Sequence, residues 1–250
     1  RHYTSETWQE NYASEEQHYR TSESAGYGKG HNEYVSLNLS YQPDTLNLIT
    51  LEGSLWTGGW KNYSDSNTRF LDKDETPTVE YASSDYDNYP YTGYQIGANY
   101  ERRFRKPEHT LTVSDMVEID PDKGYNLVSY DGILNYPSSQ LYKRHTSQST
   151  TNTFQLDYYN PLAEHHYIEA GSKYIYRINK GYQNEIPWVE PEGFDPANIA
   201  KYDDLRQRQQ IFSLYFGYGL KFKKVSARTG VRMERTWNHA DADKFLQRRL

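Results

Sequence analysis

The sequence predicts an all-β fold: an antiparallel up-and-down transmembrane β-barrel segment of about nine strands, part of a larger barrel. Three observations predict it. Apolar residues recur at every second position through most of the chain, with polar residues filling the gaps. The connections between these stretches alternate between about two or three residues and roughly 20–30 residues, whereas loops beyond about 12–15 residues are uncommon in compact domains. No run of about 18 apolar residues exists to make a membrane helix, but a barrel strand needs only about 9–11 alternating residues.

Taken in order, His2 to Tyr12 is polar with Tyr3, Trp8 and Tyr12, and forms a candidate first strand. Ala13 to Gly30 is charged and glycine-containing and reads as a loop. Its Gly26-Tyr27-Gly28-Lys29-Gly30 neither follows a strand nor opens an apolar helix, so the phosphate-loop reading fails. From Glu33 the alternation is clear: Val35, Leu37, Leu39 and Tyr41 form one face, and after Pro43-Asp44-Thr45 the face continues with Ile49, Leu51, Gly53 and Leu55. Lys61 to Pro90, rich in Tyr, Asp, Asn and Ser, is expected to be a long outer loop.

Tyr94, Ile96, Ala98 and Tyr100 share the next face, Arg105-Lys106 turns the chain, and Leu111, Val113, Val117 and Ile119 return. Asp115 falls on the apolar face, and a bulge is expected there to turn it inward. Pro121 to Arg144 is the second expected long loop. Phe154, Leu156 and Tyr158 then lead through Pro161-Leu162-Ala163 to Ile168, Ala170, Tyr174, Tyr176 and Ile178. Gly181 to Asp203 is the third expected loop. The last hairpin is the clearest: Phe212, Leu214, Phe216, Tyr218, Leu220 and Phe222, a Lys223-Lys224 turn, then Val225, Ala227, Thr229, Val231 and Met233. From Asn238 the pattern fades.

All four short turns keep apolar opposite apolar, which fixes the strand register. Strands of about 12–18 residues are expected, longer than a membrane demands. Nine is an odd count, and an open greasy sheet would leave unsatisfied edges in lipid. The chain, residues 1–250, is therefore expected to be one partial outer-membrane barrel domain truncated at both ends. A soluble sandwich, such as a carbohydrate-binding module, is the alternative, but its turns recur every 8–12 residues or so without such alternation.

Composition agrees. The mean hydropathy of -1.03 is low for a compact globule. Yet 26 tyrosines and 16% aromatic residues rule out a disordered polymer and suit long strands with one wet face and aromatic belts. The net charge of -6 gives no reason to expect nucleic acid, and the absence of cysteine excludes disulfides and thiolate metal sites.

With the strands placed, Tyr100-Glu101-Arg102-Arg103-Phe104, Pro107 and Leu111-Thr112-Val113-Ser114 resemble the TonB-dependent receptors, a family of large outer-membrane β-barrels. So do Gln210 through Tyr215, Phe222 and Arg228-Thr229-Gly230-Val231-Arg232-Met233-Glu234-Arg235-Thr236. The resemblance runs over about Tyr34 to Thr236 as a distributed strand pattern. It implies a 22-stranded barrel in the bacterial outer membrane, ligand transport, and contact with the TonB complex through an N-terminal part. It also admits a surface lipoprotein as a partner. Neither a plug domain nor a TonB-contacting segment is matched within these residues.

Catalytic chemistry has little support. Asp72, Asp74, Glu75, Asp85, Asp87, Glu190 and Glu192 read as loop carboxylates without the framing a glycosidase pair needs. His165 and His166 are adjacent in a strand, so they point to opposite faces and cannot easily share a metal. No cofactor is expected, and no enzyme. Basic residues at two turns, Arg102, Arg103, Arg105, Lys106 and Lys221, Lys223, Lys224, suit a barrel rim facing lipid. Ligand contact is expected from the outer loops through Tyr63, Tyr81, Tyr86, Tyr89, Tyr91, Tyr130, Tyr136 and Trp188. Flat aromatics among amides and carboxylates suit a small molecule, glycan or peptide.

Overall fold

Nine strands in the computed structural model run in unbroken sequence order: β1 (His2–Glu10), β2 (Tyr19–Asp44), β3 (Asn47–Leu71), β4 (Pro77–Arg103), β5 (Thr110–Leu134), β6 (Ser139–Ala163), β7 (His166–Pro187), β8 (Lys201–Lys221) and β9 (Ser226–Leu246). The structure describes residues 1–188, 193, 199 and 201–246, with side chains of the last strand through 243. Every neighbour pairs antiparallel in one open sheet ordered β1 to β9. This is a section of barrel wall.

The four short turns connect β2 to β3, β4 to β5, β6 to β7 and β8 to β9, so they all lie at one end. Asp44 closes the first by accepting from the backbone N–H of Leu46 at 2.7 Å and of Asn47 at 2.9 Å. Those two donors, with the Asn47 amide, hold its carboxyl below the usual range. In the last, the Phe222 N–H donates to the Val225 carbonyl at 2.8 Å.

The opposite end differs from expectation. Lys61 to Pro90 and Pro121 to Arg144 are not loops: β3 and β4 pair from Asn47 and Arg102 out to Leu71 and Pro77, and β5 and β6 pair from Thr110 and Tyr159 out to Tyr130 and Ser139. Of Gly181 to Asp203, β7 continues to Pro187 and β8 opens at Lys201; between them only Trp188, Gly193 and Ile199 are among the described residues. Ala13 to Gly30 is strand from Tyr19 onward, and β9 continues past Asn238 to Leu246. The strands other than β1 span 21 to 27 residues rather than 12–18. The hydrophobic alternation stops part-way along each strand, but backbone pairing does not need hydrophobicity to persist.

The predicted face is real. Tyr41, Ile49, Tyr100, Val113, Leu156, Ser172, Leu214 and Met233 are successive cross-strand partners in a single row. Leu37, Leu51, Ile96 and Ile168 share their side of the sheet. Nothing among the described residues covers this side: Leu37 is 60%, Ile96 66% and Val231 75% exposed. A soluble sandwich would bury them under a second sheet, so the single layer excludes that alternative.

The apolar band also slides along the ladder. In β2, Tyr41 is the end of the band nearest the turns, and the band runs to Val35. In β9, Met233 of the same row is the end farthest from the turns, and the band runs back to Ala227. The band keeps to the same rows through β2, β3 and β4 and then moves toward the turns from β5 to β9, an average of about one residue per strand, the stagger of strands tilted to a barrel axis.

Asp115 stays on the apolar side. No bulge interrupts β5 there; Asp115 pairs with Ala98 and Phe154 in regular register. Its carboxylate instead accepts from the Asn152 side-chain amide at 2.8 Å, on the same side. A local hydrogen bond has replaced the expected bulge.

Candidate functional site

The inward side of the sheet, beyond the band, carries rings packed against glycines. Trp60 lies opposite Gly30, Tyr91 opposite Gly58 and Trp56 opposite Gly93, and in each case a Cβ on the glycine would run into the ring. The inward face of a curved wall is crowded, and a missing side chain lets a neighbouring ring pack on the backbone. Gly30 pairs with Trp60, Trp60 with Tyr89 and Gly124 with His145, and a Cβ on Gly124 would meet both Tyr89 and His145. Tyr89 and His145 meet across Gly124 with ring centroids 5.1 Å apart.

Carboxylates stand beside these rings. Asp122 approaches the His145 Nε2 at 3.8 Å, and the Asp120 carboxylate lies at Gly93 beside Trp56. Farther out, the Asn126 amide bridges Asp85 at 2.5 Å and Asp87 at 2.7 Å. Burial, then the neighbouring Asp87 charge, raises the Asp85 carboxyl above its usual value. Burial likewise raises the Tyr89 hydroxyl, with Asp87 adding to it. Planar apolar faces with fixed acceptors beside them can stack a ring-shaped or cationic ligand and orient its donors.

The eight residues expected to contact ligand divide among four places. Tyr89 and Tyr91 join the inward wall just described. Tyr63 and Tyr86 face outward, in a chain of rings from Tyr27 to Tyr63 (4.7 Å), Tyr86 (4.5 Å), Tyr125 (5.7 Å) and Tyr142 (5.7 Å). Tyr81, Tyr130 and Tyr136 form a separate cluster at the outer ends of β4 and β5 and the β5–β6 connection, Tyr81 and Tyr136 stacked at 4.2 Å. Trp188 stands just past β7, its N–H donating to the Gln140 carbonyl at 2.9 Å. All eight are expected in outer loops, yet all but Tyr136 and Trp188 sit on strands. Sequence reasoning missed Trp56, Trp60, Asp120, Asp122 and His145. Their signal was present: Trp56 and Trp60 are out of phase with Leu51 and Leu55, so they had to face inward. Among the described residues, no group of three His, Asp or Glu side chains could hold a metal ion.

Residues 102–248, the end of β4 through β9, match the model of the outer membrane protein beta-barrel family. The chain belongs to this family. No curated protein and no solved structure matches it. Family membership places the protein in the bacterial outer membrane and gives the two sides of the sheet their meaning. In an outer-membrane barrel the exposed apolar band meets hydrocarbon, and the polar side faces a wet lumen. The unbroken register carries that assignment from the matched strands through β4, β3 and β2. The turn end is then the periplasmic end, and the long strand extensions rise outside the cell.

Proposed function

We propose that this outer-membrane barrel wall belongs to a TonB-dependent receptor that takes up a ligand across the outer membrane. The observation that carries the reading is the inward wall of Trp56, Trp60, Tyr89 and Tyr91 with Asp120 and Asp122. It lies above the membrane band, where a ligand entering the lumen passes first. The sequence resemblance to TonB-dependent receptors adds direction: binding at the outer wall, then energy-coupled entry, with the TonB contact made by an N-terminal part of the protein. A small molecule, glycan or peptide fits the wall, and a surface lipoprotein fits as a partner at the outer rim. The role requires no catalytic step.

The test uses the complete protein purified in detergent. It should bind the isolated periplasmic domain of TonB, and removing its N-terminal periplasmic segment should abolish that binding. A complete protein with no affinity for TonB would refute energy-coupled transport while leaving the barrel intact.

A further inference from the structure

The outward side just beyond the apolar band carries a one-signed collar. The first three outward positions past the band on β2 through β9 hold seven Lys and Arg side chains and one carboxylate, Glu33. Lys29, Lys61 and Lys123 represent β2, β3 and β5. Lys180, Arg206, Arg208 and Arg235 make a denser group on β7, β8 and β9. The inward positions of the same rows hold Asp120, Asp122 and Glu234 and a single cation, Arg177, opposite Gln209. In a protein with net charge -6, this separation of signs across one sheet is not the mixed pattern of an ordinary solvated face.

Several inward cations have carboxylate partners, Arg228 with Glu169, Arg232 with Glu234 at 2.8 Å and Lys143 with Glu185 at 4.0 Å, while Arg177 donates to the neutral Thr151 and Gln209. None of the seven collar cations forms an ion pair with a described residue. Arg235 lies over the Trp237 ring at 4.9 Å and Lys29 over Tyr27 at 5.8 Å. The nearest acid to the dense group, Asp241 opposite Arg206, is engaged by His239 at 3.3 Å. Two like-charged pairs face each other directly, Lys29 with Lys61 and Lys180 with Arg206. Directly opposed like charges destabilise a sheet, so an anion that bridges them relieves a penalty the protein alone leaves standing.

We infer that this collar, and Lys180, Arg206 and Arg208 above all, binds phosphate headgroups of anionic lipid in the outer leaflet. The level decides the occupant. These positions lie about 5–15 Å past the edge of the hydrocarbon-facing band, in and just outside a headgroup layer about 5–8 Å thick on each side. They are on the face that meets lipid, so a ligand travelling through the lumen never reaches them. The inference needs only the membrane placement and stands apart from the transport reading.

The test reconstitutes the complete barrel in phosphatidylcholine vesicles and measures, by electron spin resonance, its preference for spin-labelled phosphatidic acid over spin-labelled phosphatidylcholine. Each cation near an anionic surface is worth roughly fivefold at most, so a preference of about threefold or more is expected. The Lys180→Gln/Arg206→Gln/Arg208→Gln variant should lose at least about half of it, and Lys29→Gln/Lys61→Gln should lose a part. Lys73→Gln, at the distant tip beside Glu15, should change nothing. Equal affinity of the wild-type barrel for both lipids would overturn the inference. So would a preference untouched in whichever collar variant folds.

Discussion

Phe216 and Gly217 are neighbours in β8 with opposite surroundings. Phe216 is 50% exposed on the lipid side, paired with Ala170 and Val231. Gly217 faces inward, where the Glu169 carboxylate lies across it and pairs with Arg228. Phe216→Arg would put a guanidinium into hydrocarbon, a change expected to cost about 2–4 kcal/mol at the midplane. Gly217→Arg would displace only the flexible end of Glu169 and offer it a second cation. Unfolding of the complete barrel in lipid vesicles should therefore show the first change far more harmful; equal costs would overturn the assignment of Phe216 to the lipid side, and a reversed order would mean the two sides have been exchanged. Asp115 shows how a residue can break this rule and remain tolerable. The Asn152 amide supplies the partner that hydrocarbon cannot, and a hydrogen bond to a charged group is worth about 1.5–3 kcal/mol.

At the scale of strands, the rings packed on glycines set the shape of the inward wall. A leucine at Gly93 would force out the Trp56 ring and crowd Asp120 at once, whereas a Cβ at Gly181 would meet nothing within 4 Å. Gly93→Leu should cost about 1–3 kcal/mol of stability in vesicles, the usual range for overpacking, and Gly181→Leu should lie well below it. Identical losses would show that the ring is not held by the glycine. The same strands show which parts of the fold were legible in sequence. Register was legible wherever one side meets lipid, because a one-residue slip would turn Leu37 or Leu214 inward. Outside the membrane both sides are polar and the period-two signal fades. The paired strands from Lys61 to Pro90 therefore read as loop, although they pair without interruption from Trp60 and Tyr89 out to Phe70 and Val79. The candidate site suffered most from this: Tyr63 and Tyr89 looked equivalent in a supposed loop, but strand parity sets them on opposite sides. What remained visible was composition, since tyrosines among Asp and Asn do line the extended wall.

For the whole molecule, the sliding band makes a geometric claim. A barrel whose strands ran straight up the membrane normal would keep its apolar band in one cross-strand row. Here Tyr41 and Met233 share a row but mark opposite ends of the band, so the membrane plane cuts the ladder obliquely. A slip of about one residue, near 3.3 Å, for each strand spacing of about 4.8 Å gives a tilt of roughly 35°. That falls at the lower end of the 35–45° or so seen in transmembrane barrels. Polarised infrared spectroscopy of the complete barrel in oriented bilayers reads this angle directly from the amide dichroism. A mean tilt between about 30° and 45° is expected. Strands within about 15° of the normal would mean that the band is not the hydrocarbon boundary, and the lipid-facing assignment of Val35 through Met233 would fall with it.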